Sequence, residues 1–331
     1  MQEFFPIQRS ILSAKALGLH VEREYDIGRT IDCKLINTSL NDTYVLSTSE
    51  NKRYILRVTR TGTRSLTNVS YEMDVLNHLD QKKVPVAAPL RRKDDDYIGI
   101  IEAAEGKRYV CLFKYAPGKE LTYEDRKQAI QYGRAEASVH AATDDLKSQK
   151  DRPSLELENL IDAPLESIQP FLAYRQRDWN YLLELAGRIR HKLAALPLGS
   201  LDYGFCHGDL HGWNANFDTD GTVTFYDFES SGPGWRAYDL ATFLWAAILR
   251  GKEDERWPLF VKGYKELRKL HEADWRAVPL FVGARHFWYM GYHADQCRDL
   301  AVGWLNDEYY DREIGFLRQW DARILMEKNA G

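Results

Sequence analysis

Cysteine is scarce in this sequence, and long apolar runs are absent. The 331 residues include only four cysteines, and no two of them form the closely spaced pairs that hold zinc or build a disulfide framework. Scattered, reduced cysteines are typical of the cytoplasm, which is therefore the expected location. No run approaches the roughly 18 apolar residues that a membrane-spanning helix needs, and the N-terminus has no signal-peptide pattern. No membrane partner is expected.

A basic excess is also lacking. Lysine and arginine number 45 against 49 aspartate and glutamate, the formal net charge is −4, and the isoelectric point is near 6.2. This balance gives no support for a nucleic-acid partner, which would require a basic face. Apolar content of 44% and charged content of 28% are ordinary for a globular protein. The length exceeds what one hydrophobic core usually organises, so two lobes are expected, in a monomer or a homodimer.

Residues suited to catalysis concentrate in two short segments. In the first, His207, Asp209 and Asn214 follow the spacing His-x-Asp-x-x-x-x-Asn. This spacing is typical of a kinase catalytic loop, in which the aspartate accepts the hydroxyl proton and the asparagine binds magnesium. In the second, Asp227 ends an alternating stretch that predicts a strand, and its carboxylate would be a second magnesium ligand. The pattern predicts phosphoryl transfer from ATP with Mg²⁺, with Asp209, Asn214 and Asp227 as the catalytic set.

These motifs resemble the superfamily of aminoglycoside phosphotransferases, choline kinases and type II homoserine kinases. Members use His-Gly-Asp where protein kinases use His-Arg-Asp, and they carry an acidic residue, here Glu229, where the protein kinase Asp-Phe-Gly motif has glycine. The resemblance implies an α+β, protein-kinase-like fold of two lobes. Residues 1–114 would form an N-lobe with a five-stranded antiparallel sheet and a helix, and residues 115–331 a mainly helical C-lobe.

Two charged residues of the expected N-lobe are candidates for phosphate binding. Arg57 lies on a predicted strand, 53–59, opposite its apolar face. In a kinase this third strand carries the basic residue that grips the α- and β-phosphates, and a guanidinium can replace the usual lysine. Glu72, on a predicted helix over 68–79, is the candidate ion-pair partner of Arg57. The alternatives are a surface arginine on an edge strand and a solvated helix glutamate.

The glycine-rich phosphate loop of protein kinases is missing. Members of the resembled family often have Ser, Thr and Asn at this turn, so Ser39, Asn41 and Thr43 are candidates, with plain turn residues as the alternative. Further along, the Pro-Gly pair at 117–118 ends a predicted strand and marks the hinge between lobes. Phe113 and Tyr115 at this hinge are candidates for contact with adenine.

Two residues of the helical half are expected to support the catalytic loop from beneath. His140 ends a predicted helix, and Asp239 opens another. Only twelve residues separate Asp227 from Asp239, which leaves no room for a long activation segment. This favours a small-molecule kinase over a regulated protein kinase.

The resemblance allows homoserine, choline, other amino alcohols, sugars and aminoglycosides as hydroxyl acceptors. Most aromatic residues after residue 274 are expected in the core, and His286 and His293 are expected to be satisfied helix histidines. The candidates for acceptor binding include two rings suited to an ammonium group, together with nearby polar residues. They are His211, Glu229, Trp288 and Tyr292, with Asp295 or Asp299.

Three alternatives remain open from the sequence. The first is a protein Ser/Thr kinase of the stress-kinase-like branch. The second is a metal-dependent hydrolase that uses His207, Asp209 and His211 as a metal site, which would leave Asn214 and Asp227 without a role. The third is a pseudokinase that binds nucleotide without turnover, which the missing glycine loop suggests and the complete catalytic set opposes.

Overall fold

The computed structural model describes residues 5–300 and 303–323, except for the side chains of residues 299 and 300. The side chain of the candidate Asp299 therefore lies outside the described part of the chain. The chain divides into two compact units. The first consists of Met1–Lys119, Asp145–Arg152 and Ala215–Glu229, and the second of Glu120–Asp144, Pro153–Asn214 and Ser230–Gly331.

The first unit is mainly β-structure. Its elements are α1 (Ala14–Glu24), β1 (Thr30–Thr38), β2 (Asn41–Thr48), β3 (Arg53–Thr59), α2 (Leu66–Gln81), β4 (Gly99–Ala103) and β5 (Gly106–Lys114), with β8 (Ala215–Phe217) and β9 (Val223–Phe225) from later in the chain. The short strand β6 (Lys119–Glu120) stands where the first unit gives way to the second.

Helices dominate the second unit. Its elements are α3 (Arg126–Ala142), α4 (Ala163–Ile168), α5 (Gln176–Ala194), β7 (Tyr203–Cys206), β10 (Gly232–Trp235), α6 (Ala237–Leu249), α7 (Glu253–Lys265), α8 (Glu272–Leu300) and α9 (Asp307–Asp321). Shorter helical turns cover Glu158–Asp162, Gln169–Leu172 and Leu198–Ser200. Another, Phe228–Ser230, spans the point after Glu229 where the chain passes from the first unit to the second.

A five-stranded antiparallel sheet organises the first unit, in the order β1-β2-β3-β5-β4. Alternate residues of its strands, including Tyr44, Leu46, Leu56 and Val58, are fully buried. Helix α1 joins the same core through Leu17 and its neighbours. Period-two alternation is what a sheet with one covered face requires. The prediction of this sheet with a helical remainder is confirmed.

The hairpin of β8 and β9 belongs to the first unit although it follows the catalytic loop in sequence. The backbone N–H of Ala87 donates to the carbonyl of Phe225 at 2.8 Å, and the N–H of Phe225 donates to the carbonyl of Pro85 at 3.2 Å. These bonds join segments that are far apart in the chain. The division into units therefore differs from the single boundary expected after residue 114.

Two histidines of α8, the buried His286 and the half-buried His293, are satisfied by hydrogen bonds, as expected. His286 accepts a hydrogen bond at Nδ1 from the indole N–H of Trp245 at 3.0 Å, and its Nε2 donates to the carbonyl of Glu313 at 3.1 Å. His293 Nδ1 lies 2.9 Å from the hydroxyl of Tyr309. The described residues include no helix that is long and apolar enough to cross a membrane.

Acid should destabilise the protein through His286. Burial lowers the pKa of His286 to about 3, whereas an unfolded histidine titrates near about 6.5. As the pH falls below the unfolded value, the unfolded chain binds a proton that the folded chain does not bind. The free energy of unfolding should then fall by up to about 1.4 kcal/mol per pH unit for this histidine.

Urea unfolding between about pH 7.5 and about pH 5 measures this slope. His286→Asn keeps an oxygen acceptor for Trp245 without a titrating group, so its slope should be smaller than in the wild type. His191→Asn, at an exposed site on α5, should keep the wild-type slope. Equal slopes in all three proteins would contradict the assignment.

Candidate active site

The catalytic loop of the second unit is held by one buried carboxylate. Asp239, in the first turn of α6, is fully buried. Its two oxygens accept the backbone N–H groups of His207 at 2.6 Å and Gly208 at 2.7 Å. Hydrogen bonds to an ionised acceptor are stronger than neutral ones. The backbone just before Asp209 is therefore fixed from beneath, as expected.

His140 extends this support. It ends α3, and its Nε2 donates to Asp239 at 3.1 Å while its Nδ1 accepts from the hydroxyl of Tyr264 at 2.8 Å. Burial lowers the pKa of His140 by more than the charge of Asp239 raises it. A neutral imidazole has one donor and one acceptor nitrogen, which matches the two partners.

Glycine is required at position 208 by both conformation and space. Gly208 has φ +83°, and a Cβ atom there would lie 2.5 Å from the carbonyl oxygen of Ser230. Any other residue would have both a left-handed backbone and a clash. This explains in physical terms why the motif reads His-Gly-Asp.

The carboxylate of Asp209 is surrounded by donors. The amide of Asn214 donates to its Oδ2 and to its backbone carbonyl, both at 2.9 Å, and His211 Nε2 lies 3.4 Å from Oδ2. Arg285 forms an ion pair with Oδ1 and donates to the carbonyl of Gly208 at 3.1 Å. Burial opposes the charged form, but His211 and Arg285 outweigh it and lower the pKa of Asp209. Asp209 is thus ionised at neutral pH.

Arg285 is a site residue that the sequence reasoning missed. It lies on α8 and is 2% exposed. Its guanidinium carbon is 4.4 Å from the ring centre of Trp288 and 4.9 Å from that of Trp245. Tyr292 stacks on Trp288 with ring centres 5.4 Å apart. The available signal was a single arginine within the apolar run from 280 to 290.

The outer part of the loop is anchored by aromatic residues. The hydroxyl of Tyr123 donates to the carbonyl of His211 at 3.2 Å. The guanidinium of Arg250 lies 4.1 Å from the ring centre of Trp213 and 4.5 Å from that of Tyr123. His211 is therefore fixed beside Asp209 within the second unit.

In the first unit, Arg57 forms the predicted ion pair with Glu72. Both terminal guanidinium nitrogens bind the Glu72 carboxylate, one of them at 2.9 Å, and a second carboxylate, that of Asp227, lies 3.6 Å from Nη1. Burial disfavours the charged guanidinium, but Glu72, Glu229 and Asp227 raise the pKa of Arg57 overall. Arg57 is 8% exposed and Glu72 is 3% exposed, so the surface alternatives for both residues are wrong.

Asp227 has an unusual backbone. Its φ of +63° lies in the left-handed region, which is uncommon for a residue other than glycine and marks functional sites. Its side chain is 41% exposed. Nearby, Glu229 accepts a hydrogen bond from the amide of Asn41 at its carboxylate and one from Arg152 at its backbone carbonyl.

The predicted phosphate-loop residues lie in two different elements, the turn after β1 and strand β2. Ser39 lies in the two-residue turn between β1 and β2, where its N–H donates to the carbonyl of Asn41 at 2.9 Å. Asn41 and Thr43 belong to β2, with Thr43 opposite Arg57 in the register with β3. For Asn41 and Thr43 the alternative as plain turn residues is wrong, because both lie in β2.

The predicted hinge residues lie on either side of the end of β5. Phe113 lies within β5, where the guanidinium of Arg57 is 4.9 Å from its ring centre. The guanidinium of Arg53 is 3.9 Å from the ring centre of Tyr115. The amide of Asn216 donates to the carbonyl of Ala116 at 2.8 Å, which fixes the backbone at the point expected to face adenine.

Arg152 is a second charged residue that the sequence reasoning missed. It belongs to the segment 145–152, which returns to the first unit. Burial and the neighbouring charge of Arg64 lower the pKa of Arg152 to about 10. Its guanidinium donates to the backbone carbonyl of Glu229 and lies 5.7 Å from the ring centre of Tyr71.

The two predicted metal ligands belong to different units, Asn214 to the second and Asp227 to the first, and each offers oxygen, which suits a hard cation better than zinc. The amide nitrogen of Asn214 is used by Asp209, which leaves its oxygen, and Asp227 offers a part-exposed carboxylate. Magnesium is commonly held by one or two such oxygens together with phosphates and water. No group of three or more His, Cys, Asp or Glu side chains that could hold a metal is present in the part of the chain that the structure describes. His207 Nδ1 instead accepts the N–H of Asp209 at 3.3 Å, so the proposed His-Asp-His metal site is not formed.

Comparison with known proteins agrees with this geometry. Residues 32–281 match the model of the phosphotransferase enzyme family. The chain belongs to this family. The predicted resemblance is confirmed, and so is the prediction of an ATP-dependent phosphotransferase that acts on an alcohol group.

Individual relatives cover nearly the whole chain. An uncharacterized protein of Deinococcus radiodurans is 35% identical over 96% of this chain and 93% of its own length. A homoserine kinase of Paraburkholderia phymatum is 26% identical over 93% of this chain and 94% of its own. The structure of amicoumacin kinase with AMP-PNP, Ca²⁺ and Ami has a TM-score of 0.73 at 20% identity, covering 96% of this chain and 94% of that one, and shows the shared fold.

Substitution of Asp239 should loosen the catalytic loop. Asp239→Asn replaces one of the two side-chain oxygens that accept backbone N–H groups with an NH₂ group. One buried N–H then loses its partner, at a cost of about 1–3 kcal/mol. We expect faster amide exchange at His207 and Gly208 and a lower midpoint in urea. Asp220→Asn, in the exposed β8–β9 turn, is the control for a neutralised aspartate. Wild-type exchange at both amides would contradict the supporting role.

Proposed function

We propose that the protein transfers the γ-phosphate of Mg-ATP to a hydroxyl group of a small molecule, with Asp209 acting on that hydroxyl. The observation that carries the proposal is the ionised carboxylate of Asp209, which is held by Asn214 and Arg285 on a loop braced by Asp239. A carboxylate fixed in this way can orient a hydroxyl toward a phosphorus atom.

The lowered pKa of Asp209 defines how it would act. A weakly basic carboxylate does not remove the proton of an alcohol before the reaction begins. It accepts a hydrogen bond from the hydroxyl and takes the proton as the new oxygen–phosphorus bond forms. This suits a loose transition state, in which positioning contributes more than basicity.

Residues of the first unit would bind the nucleotide. Arg57, held by Glu72, would contact the α- and β-phosphates, and Ser39 in the β1–β2 turn is a further candidate for phosphate binding. Bidentate binding of phosphate oxygens is a property that guanidinium has and ammonium lacks. Phe113 and Tyr115 would adjoin the adenine.

Magnesium would be held by Asn214 and Asp227. Both supply the oxygen ligands that this cation prefers, and phosphate oxygens and water would fill the other positions. When bound, the cation would neutralise charge on the phosphates. Asp227 is kept in a left-handed conformation, which is consistent with a carboxylate that must point in a fixed direction.

The acceptor that we propose is an amino alcohol with an unmethylated amine, a class that includes homoserine. Homoserine is the named substrate of a relative that matches 93% of this chain. The ring of Trp288 is already engaged by the guanidinium of Arg285, so it offers less to a quaternary ammonium group, which depends on aromatic faces. A primary amine binds by hydrogen bonds as well, for which His211, Glu229 and Tyr292 remain candidates.

Two substitutions separate catalysis from nucleotide binding. Asp209→Ala should lower kcat for ADP release by at least about 1,000-fold while ATP affinity stays within about three-fold, because the proposed role concerns the acceptor only. Asp227→Ala should weaken Mg-dependent ATP binding by at least about ten-fold in calorimetry. Asp220→Ala is the matched control. Intact Mg-dependent binding in Asp227→Ala would remove its metal role.

A panel of acceptors tests the substrate class. Ethanolamine and choline differ only in methylation of the nitrogen, so their comparison isolates the ammonium type. We expect kcat/KM for ethanolamine to exceed that for choline by at least about ten-fold, with homoserine, sugars and aminoglycosides assayed beside them by ADP release. Preference for choline, or turnover confined to sugars, would refute the proposed class without affecting the phosphotransfer reaction.

A further inference from the structure

A cavity lies in the helical unit between α6, α7, α8 and α9. Its volume is about 590 Å³, within the range of small-molecule sites. Asp209, Arg285 and Trp288 are not among the residues that line it. The cavity is therefore distinct from the site around Asp209.

The floor of this cavity is apolar and aromatic. Leu244 of α6, Val261 of α7 and Phe316 of α9 contribute to it. The rings of Trp257 and Trp275 also line it and meet edge to face, with centres 6.4 Å apart. Such a floor would bind the hydrocarbon body of a ligand.

A buried donor without a partner points to a polar ligand group. Trp320 lines the cavity and is 3% exposed, and its indole Nε1 has no hydrogen-bond partner among the residues that the structure describes. A Cβ atom at Gly283 would lie 2.7 Å from Cη2 of Trp320, so the benzene end of the indole is fixed there. The end that carries Nε1 lies away from Gly283. An unpaired buried N–H is unfavourable, and an acceptor atom would satisfy it.

The rim of the cavity carries excess negative charge. Glu253 is paired with Arg323 at 2.9 Å, and Lys265 places its ammonium 4.8 Å from the ring centre of Trp275. Asp254 and Glu272 also line the cavity, and neither has an ion-pair partner among the described residues.

We propose that this cavity is a second ligand site, which binds a small organic amine with an apolar body and a hydrogen-bond acceptor. The amine would be attracted by Asp254 and Glu272. Trp275 already takes a cation on its face, in the form of Lys265, and a ligand amine can compete for that place by cation–π attraction. The ligand's acceptor atom would pair with Trp320 Nε1. An anionic ligand is disfavoured by the rim.

Two probes that differ only in the amine test the proposal. L-Phenylalanine methyl ester has an amine, a phenyl ring and an ester carbonyl, and methyl 3-phenylpropanoate lacks the amine. Each probe is titrated into the full chain labelled with ¹⁵N-tryptophan. NMR then follows the indole N–H signal of Trp320, which is assigned by its absence in Trp320→Phe. We expect the amine to shift this signal and to bind at least about ten-fold more tightly than the neutral ester.

Exposed rim residues provide variants that should fold normally. Glu272→Gln and Asp254→Asn should each weaken amine binding about three- to ten-fold. Lys265→Met should strengthen it by removing the competing ammonium. Trp288→Leu, near Asp209, should leave it unchanged.

Four results would overturn the proposal. They are no shift of the Trp320 signal up to about 10 mM probe, equal binding of the ester without the amine, unchanged affinity in both rim variants, and loss of binding in Trp288→Leu. The last result would assign the binding to the acceptor region. None of these results depends on phosphotransfer activity, so the proposed function and the second site can fail separately.

Discussion

The carboxylate of Asp239 is the group on which the catalytic loop depends. It accepts two successive backbone N–H groups and is oriented by His140, which is itself fixed by Tyr264. All of this lies within the buried core of the second unit, where hydrogen bonds to a charged acceptor are strong and unpaired groups are costly. The position of Asp209 is thus determined by residues that never need to touch a substrate.

Charge balance around Asp209 is the second constraint. A buried carboxylate without a cation would take up a proton and lose its ability to orient a hydroxyl. His211 and Arg285 prevent this, and the aromatic rings of Trp245 and Trp288 accommodate the guanidinium of Arg285. The same contact engages the face of Trp288, so in the proposed function it links the ionisation of Asp209 to the kind of acceptor that is bound.

The sequence predicted those parts of the fold that depend on local pattern. Period-two alternation placed the strand over 53–59, the family resemblance implied the five-stranded sheet, and the spacing from His207 to Asn214 located the loop. The ion pair of Arg57 and Glu72 was also predictable, since both residues lie on elements with a known arrangement in the resembled fold.

Features that depend on distant contacts were not predictable. Arg285 meets Asp209 across 76 residues of sequence, and a lone arginine in a helix carries no sign of its partner. The return of residues 145–152 and 215–229 to the first unit depends on hydrogen bonds such as Ala87 to Phe225, which no local pattern encodes. The length of the turn after β1, which is two residues, was overestimated. The polar residues at 41–43 resemble a loop, although Asn41 is buried in β2.

The guanidinium at position 57 has a consequence for how such a protein is detected. Some labelling reagents carry an acyl group on a nucleotide and transfer it to the free amine of a lysine. The guanidinium of Arg57 stays protonated, because Glu72 and its acidic neighbours raise its pKa, and a protonated guanidinium is not a nucleophile. Chemical surveys that identify nucleotide-binding proteins by lysine acylation would leave this position unlabelled.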